Sequence, residues 1–379
     1  MQFELTEDQR SLRETTARYL SNTVPVDQLR KLREHPAGYE EEYWRQGAEL
    51  GWTSLLVPEE RGGGSLSGGG LGDATLLAHE FGRHAAPGPF VPCNIAAAAL
   101  GAEDPVGHGQ PLCDLLAGSA VISWCFSEAS PQGHRPEGLS LDVSVDGAEV
   151  VLDGVKRPVE SAAQAGHLLV SGRTGGGLTQ VLVPTDAPGV TLEPMQSVDL
   201  TRRFWVVRLA NVRLPLDAVV GELGGAGAQV EHQLRLALVL LAAESVGAME
   251  RAFDMTVEWA FDRYSFGRPL ASYQELKHRF ADMKTWLEAG HAVTDSAAAA
   301  VDAGATDAAE LVSVAAAFVG EYGGEMLQDC VQIHGGIGLT YEHDLHLLLR
   351  RVTLNRAILG TPSLHRRRIA ELLVEQEER

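Results

Sequence analysis

Three textures of apolar and polar residues follow one another along the chain. Up to residue 119, apolar positions recur at helical spacing in segments separated by loops. Thr6-Glu7-Asp8-Gln9 predicts a capping box, in which Thr6 accepts from a backbone donor and Gln9 reaches back. Over residues 120–225 the period shortens to two. Leu141, Val143 and Val145 alternate with polar residues, Asp146-Gly147 predicts a hairpin turn, and Val150 to Leu152 returns. His167 to Gly172, Gln180 to Pro184, Gly189 to Glu193 and Phe204 to Leu209 read as further strands, predicting a sandwich or barrel. Residues 226–379 return to helical spacing. Val246, Met249, Phe253, Val257 and Phe261 form one apolar stripe in a run from Arg235 to Asp262, about 42 Å of helix. Helices are also predicted over Leu276 to Leu287, Asp307 to Ile333 and Ser363 to Glu375, giving a four-helix bundle. The expected class is α+β with three domains: helical 1–119, β 120–225 and bundle 226–379.

Composition narrows the function. The chain has 379 residues, 31 Lys+Arg against 51 Asp+Glu and a net charge of −20, so no basic field attracts nucleic acid. No run of about 18 apolar residues predicts a membrane span. Met1-Gln2-Phe3-Glu4-Leu5 lacks the basic start and apolar run of a signal peptide, so a cytoplasmic location is expected. Cys93, Cys113, Cys125 and Cys330 show no metal-ligand spacing and are expected as small buried hydrophobes in a reducing compartment. The stretch from Arg61 to Asp73 has seven glycines but no P-loop lysine, and reads as a flexible surface connection.

Three segments suggest chemistry. Arg263-Tyr264-Ser265-Phe266-Gly267-Arg268-Pro269 follows the long helix. There Arg263 is either a phosphate ligand or a solvated charge at a helix C-terminus. Gln332-Ile333-His334-Gly335-Gly336-Ile337-Gly338 either lets a ligand approach the backbone or caps a helix, with His334 expected to be structural. Trp124 and Phe126 share one strand face, as core or as the wall of an aromatic ligand's pocket, with Ser127 and Glu128 after them.

In order and spacing, these segments resemble the acyl-CoA dehydrogenases from end to end. The specific matches are Arg263 through Gln274, the following Leu276 to Met283, and Gln332 to Gly338. The resemblance implies FAD bound between subunits, its ring on one subunit's β domain and its adenosine and pyrophosphate on the neighbour's bundle. It implies a glutamate that removes the α-hydrogen of an acyl-CoA thioester, hydride transfer to the flavin, and reoxidation by an electron-transfer flavoprotein. Arg263, Phe266, Gln274, Gln332, Gly335, Gly336 and Thr361 match cofactor-contacting positions, and Trp124, Phe126 and Ser127 resemble the flavin-side strand.

Other positions depart from the family. The Lys-x-Trp-Ile-Thr-Asn strand appears as Lys156-Arg157-Pro158-Val159-Glu160-Ser161, so Pro158 replaces the ring-packing Trp. Glu160 replaces a Thr and adds negative charge where reduced flavin is anionic. The usual Glu positions hold Leu359 and Ala237, neither of which takes a proton, and beside Ala237 an Arg frequent in relatives is Leu238. Glu244, about 10 Å along the helix from Ala237, is the weak candidate for a relocated base. The favoured expectation is the base-lacking subunit of an actinobacterial heteromeric (α2β2) enzyme, which completes a related partner's FAD site. The alternatives are a homomeric flavin enzyme with a relocated or absent base, and a scaffold without flavin.

Overall fold

The computed structural model describes residues 5–32, 34–103, 107–130 and 132–377. Met1 to Glu4, on which the leader expectation rests, lie outside them. The chain begins with α1 (Glu7–Thr23), α2 (Val26–Leu32), α3 (Glu41–Glu49), α4 (Gly70–Arg83), α5 (Phe90–Ala102) and α6 (Gly109–Leu116). The strands are β1 (Ile122–Cys125), β2 (Asp142–Asp146), β3 (Glu149–Glu160), β4 (His167–Thr174), β5 (Gly177–Pro184), β6 (Val190–Met195), β7 (Phe204–Pro215) and β8 (Val219–Val220). After them come α7 (Gly227–Asp262), α8 (Gln274–Asp302), α9 (Ala308–His334), α10 (Leu345–Ile358) and α11 (Pro362–Glu377). This is the expected α+β order of helices, sheet and helical bundle.

The capping box forms as predicted: Gln9 N–H donates to Thr6 Oγ1 and Thr6 N–H to Gln9 Oε1. The glycine-rich stretch departs from a plain surface connection, because its second half opens α4. The buried Asp73 carboxylate accepts from the backbone of Leu66 and Ser67 and from Gln9, while Asp302 of α8 accepts from the N–H groups of Leu71 and Gly72. These carboxylates satisfy free donors at the start of α4, where the helix dipole also favours negative charge.

The strands form one eight-stranded sheet ordered β6-β7-β3-β2-β4-β5-β8, with β1 parallel to β4. Asp146 pairs Glu149 around the Gly147 turn as predicted, but Val145 is 46% exposed, so the inward alternation ends at Val143. The β3–β7 ladder loses register between Lys156 and Val159, where Pro158 has no N–H to donate.

The bundle contains α10 among the four expected helices, packed on α7 and α9. The stripe on α7 is buried at Val246 and Met249 but 64% exposed at Phe261, which faces outward although its neighbour Ala260 is buried. Cys93, Cys125 and Cys330 are buried as expected; Cys113 is exposed because it lies on the outer face of the amphipathic α6. Among the described residues, no helix is long and apolar enough to cross a membrane.

Helices α4 and α7 cross at backbone contact. A Cβ on Gly82 would lie 1.8 Å from the Glu244 carbonyl, and one on Gly247 1.9 Å from that of His79. Gly247→Ala must separate the helices. An overpacking cost of about 1–3 kcal/mol is expected, read as a lower urea midpoint.

Candidate functional site

The predicted residues gather at two places. The first is the end of the bundle. Arg263 follows α7 and lies over the Trp259 ring, its guanidinium carbon 5.9 Å from the centroid. Trp259 stacks on His334 at 5.4 Å, which joins the Arg263 segment to the end of α9. Tyr264–Ser265 and Arg268–Pro269 pair as a short hairpin, with Phe266 and Gly267 in left-handed conformation at its tip. Tyr273 Oη donates to the Ser265 carbonyl at 2.6 Å and its ring supports Arg268, which sets the hairpin beside Gln274 at the start of α8.

This end is open. Phe266 is 97% exposed; Arg263, Gln274, Gln332, Gly335 and Gly336 are also exposed. Gly335 caps α9 with φ +67°, and a Cβ on it or on Gly336 would meet nothing within 4 Å. Among the described residues no carboxylate pairs with Arg263. His334 is structural, as expected: its ring is buried and Nδ1 bonds the Cys330 carbonyl at 2.8 Å. Burial lowers its pKa. An exposed guanidinium, a projecting ring and two open glycines fit the anionic end of a dinucleotide.

The second place is a cleft at the joint of β1, β3, α7 and α10, lined by Trp124, Phe126, Ser127, Pro158, Glu160, Arg202 and Leu359. Trp124 and Phe126 stack at 4.9 Å and 8°, and the Trp124 indole N–H donates to Gln233. The cleft holds about 40 Å³. Pockets for drug-sized ligands run to about 300–1,000 Å³. As it stands the cleft is narrow beside such pockets. Thr361 is exposed at the start of α11, two residues past Leu359, and Ala237 is buried in α7.

A buried ion network closes the cleft from behind. Arg202 forks onto Glu160, Nε to Oε1 at 2.7 Å and Nη2 to Oε2. The negative charge expected at Glu160 is thus matched by a guanidinium, a pairing that the 42-residue separation hides from sequence. Burial raises the Glu160 carboxyl, and Arg202 opposes that shift. Glu244 accepts from Arg351 Nη1 at 2.6 Å and Asn355 Nδ2 at 2.8 Å, with Arg202 Nη1 at 3.4 Å. Arg351, fully buried, also binds Asp199 Oδ2 at 2.5 Å, Thr201 Oγ1 and the Ala86 carbonyl. Burial works against ionising Asp199, but Arg351, Arg202 and the Thr201 N–H hold its pKa below the usual value. Arg351, Asn355 and Arg202 thus engage the lone pairs of the buried Glu244 carboxylate. A second buried pair, Lys156 Nζ with Glu128 Oε1 at 2.7 Å, ties β3 to the loop after β1. Sequence reasoning missed Arg202, Arg351, Asp199 and Asn355. The hints were the arginine doublets Arg202-Arg203 and Arg350-Arg351, each beside an apolar run.

The comparisons with known proteins agree with this architecture. Residues 6–103 match the acyl-CoA dehydrogenase N-terminal domain and residues 225–374 the acyl-CoA dehydrogenase C-terminal domain. The chain is 30% identical over 366 residues to acyl-CoA dehydrogenase IpdE2 of Mycolicibacterium smegmatis, covering 96% of this chain and 98% of that one. It is 31% identical to IpdE2 of Mycobacterium tuberculosis, covering 94% of each. Among solved structures it is similar to a variant of the Tcur3481-Tcur3483 steroid ACAD, with a TM-score of 0.89, 27% identity and coverage of 98% and 99%. Butyryl-CoA dehydrogenase of Megasphaera elsdenii shares the fold at a TM-score of 0.88 and 21% identity, covering 99% of this chain and all of that one. With both terminal domains matched and relatives aligned over nearly the whole length, the chain belongs to the acyl-CoA dehydrogenase family.

Proposed function

We propose that this chain is the subunit that completes a related partner's FAD site in a heteromeric acyl-CoA dehydrogenase, one that desaturates an acyl-CoA thioester between the α and β carbons. The observation that carries the reading is the contrast between the two places. The bundle end is open, with Arg263 and Phe266 exposed and, among the described residues, no carboxylate on Arg263, while the ring-side cleft holds about 40 Å³. The similarity to a steroid ACAD described by two protein names supports a two-chain assembly.

When bound, FAD supplies the hydride acceptor. Arg263 would pair with its pyrophosphate, Phe266 would cover it, and Gly335 and Gly336 would let it reach the backbone. On the ring side Leu359 takes no proton, and Glu160 is occupied by Arg202. Removal of the α-proton therefore falls to the partner. The acyl-CoA and an electron-transfer flavoprotein would meet the assembly in the cytoplasm.

A homomeric enzyme is the second reading, because Glu160 is a carboxylate on the cleft wall beside Leu359. Native mass spectrometry separates the two, on the chain alone and co-expressed with a related chain encoded nearby. Expected is FAD only in the co-expressed assembly. A flavin-loaded homo-oligomer of this chain that turns over acyl-CoA overturns the proposal in favour of the second reading. No flavin under either condition leaves a scaffold.

A further inference from the structure

The close crossing at Gly82 and Gly247 has a second result away from the cleft. It lays His79 of α4 over α7, one turn before Glu250, and α8 brings His291 to the same point. His79 Nε2 lies 2.7 Å and His291 Nε2 3.6 Å from Glu250 Oε2. All three donor atoms fall within 4.8 Å of one another. Bonds of about 2.0–2.1 Å to a tetrahedral ion place its donors roughly 3.3 Å apart, within the reach of small side-chain adjustments.

We propose that His79, Glu250 and His291 form a site for one divalent transition-metal ion of the zinc class, held by two imidazole nitrogens and one carboxylate oxygen. The surrounding groups suit that role. Arg83 Nη1 holds Glu250 Oε1 at 2.9 Å, which leaves Oε2 to the ion. His79 Nδ1 lies 3.5 Å from an oxygen of the buried Glu80, the carboxylate–histidine arrangement that orients metal-ligating imidazoles.

His79 and Glu250 also form part of the wall of a cavity of about 690 Å³ between α1, α2, α4, α7 and α10, from which water can fill a fourth position. Two nitrogens and one oxygen suit Zn²⁺, Co²⁺, Ni²⁺ or Cu²⁺ better than Mg²⁺ or Ca²⁺. The ion would pin α4 to α7 and α8, so binding would stabilise the folded chain.

The test uses the full chain, in whatever assembly it purifies, after treatment with a chelator. Zn²⁺ is titrated by calorimetry, Co²⁺ is followed by visible absorption, and metal content is measured after dialysis. Expected are one Zn²⁺ per chain, intense Co²⁺ bands of a four- or five-coordinate site that Zn²⁺ displaces, and a higher Tm with Zn²⁺. His79→Ala and His291→Gln should each weaken binding by about 100-fold or more and abolish the Tm rise. Far-UV circular dichroism checks that they fold. His291→Gln keeps most of the side chain's bulk on a partly exposed helix and serves if His79→Ala fails to fold. The proposal is overturned if Co²⁺ keeps its hexa-aqua spectrum, if no Zn²⁺ binds, or if binding is unchanged in a folded variant. The triad is then a hydrogen-bonded ion cluster only.

Discussion

Arg351→Met lowers the unfolding free energy by about 3–5 kcal/mol, measured as the change in urea midpoint at neutral pH. The side chain is fully buried and binds Asp199, Glu244, Thr201 and the Ala86 carbonyl. Methionine fills similar volume but leaves two carboxylates in the interior without their nearest cation. Folding stability of about 5–15 kcal/mol makes that loss a large fraction of the whole. The pH dependence gives a sharper check. Asp199 has a depressed native pKa, so its contribution is complete above the unfolded value of about 3.9 and fades as pH falls through the native one. The variant has lost most of this contribution, so the gap between the two stability curves narrows below about pH 4. A gap that is constant with pH would mean that the network contributes packing and not charge.

Arg263→Ala, made in the co-expressed assembly, weakens FAD binding by about 10- to 100-fold, read as flavin absorbance per assembly after dialysis. A hydrogen bond to a charged group contributes about 1.5–3 kcal/mol, and 1.4 kcal/mol is a factor of ten. The side chain is exposed and, among the described residues, has no carboxylate partner, so the fold and its Tm should change little. Unchanged flavin content would remove Arg263 from the cofactor site and with it the main support for the proposed role of the bundle end.

Much of the architecture was legible because the chain announces it locally. The Thr6 capping box, the Asp146-Gly147 turn and the alternation around Val143 are decided by neighbours a few residues apart. Helix α10 was not legible, because its apolar residues run together with Arg350 and Arg351 and show little one-sided spacing. The candidate site divides in the same way. Arg263, Phe266 and Gln332 to Gly336 stand in contiguous motifs, and the stacking of Trp259 on His334 brings those motifs together. The closing of the cleft was hidden. Arg202 meets Glu160 from 42 residues away, and Arg351 meets Glu244 from 107 and Asp199 from 152. No periodicity encodes such pairings. A buried carboxylate read alone looks like excess charge, and only its partner reveals otherwise.

The mutual dependence of these ions limits which substitutions the protein tolerates. Withdrawing Glu160 by itself strands Arg202 in the interior, and withdrawing Arg202 strands Glu160 and unsettles Glu244. Each lone step costs about 3–5 kcal/mol, whereas coordinated replacement by well-packed apolar residues can be neutral. Side chains exchanged here one at a time must therefore pass through poorly folded intermediates, and only joint replacement avoids them.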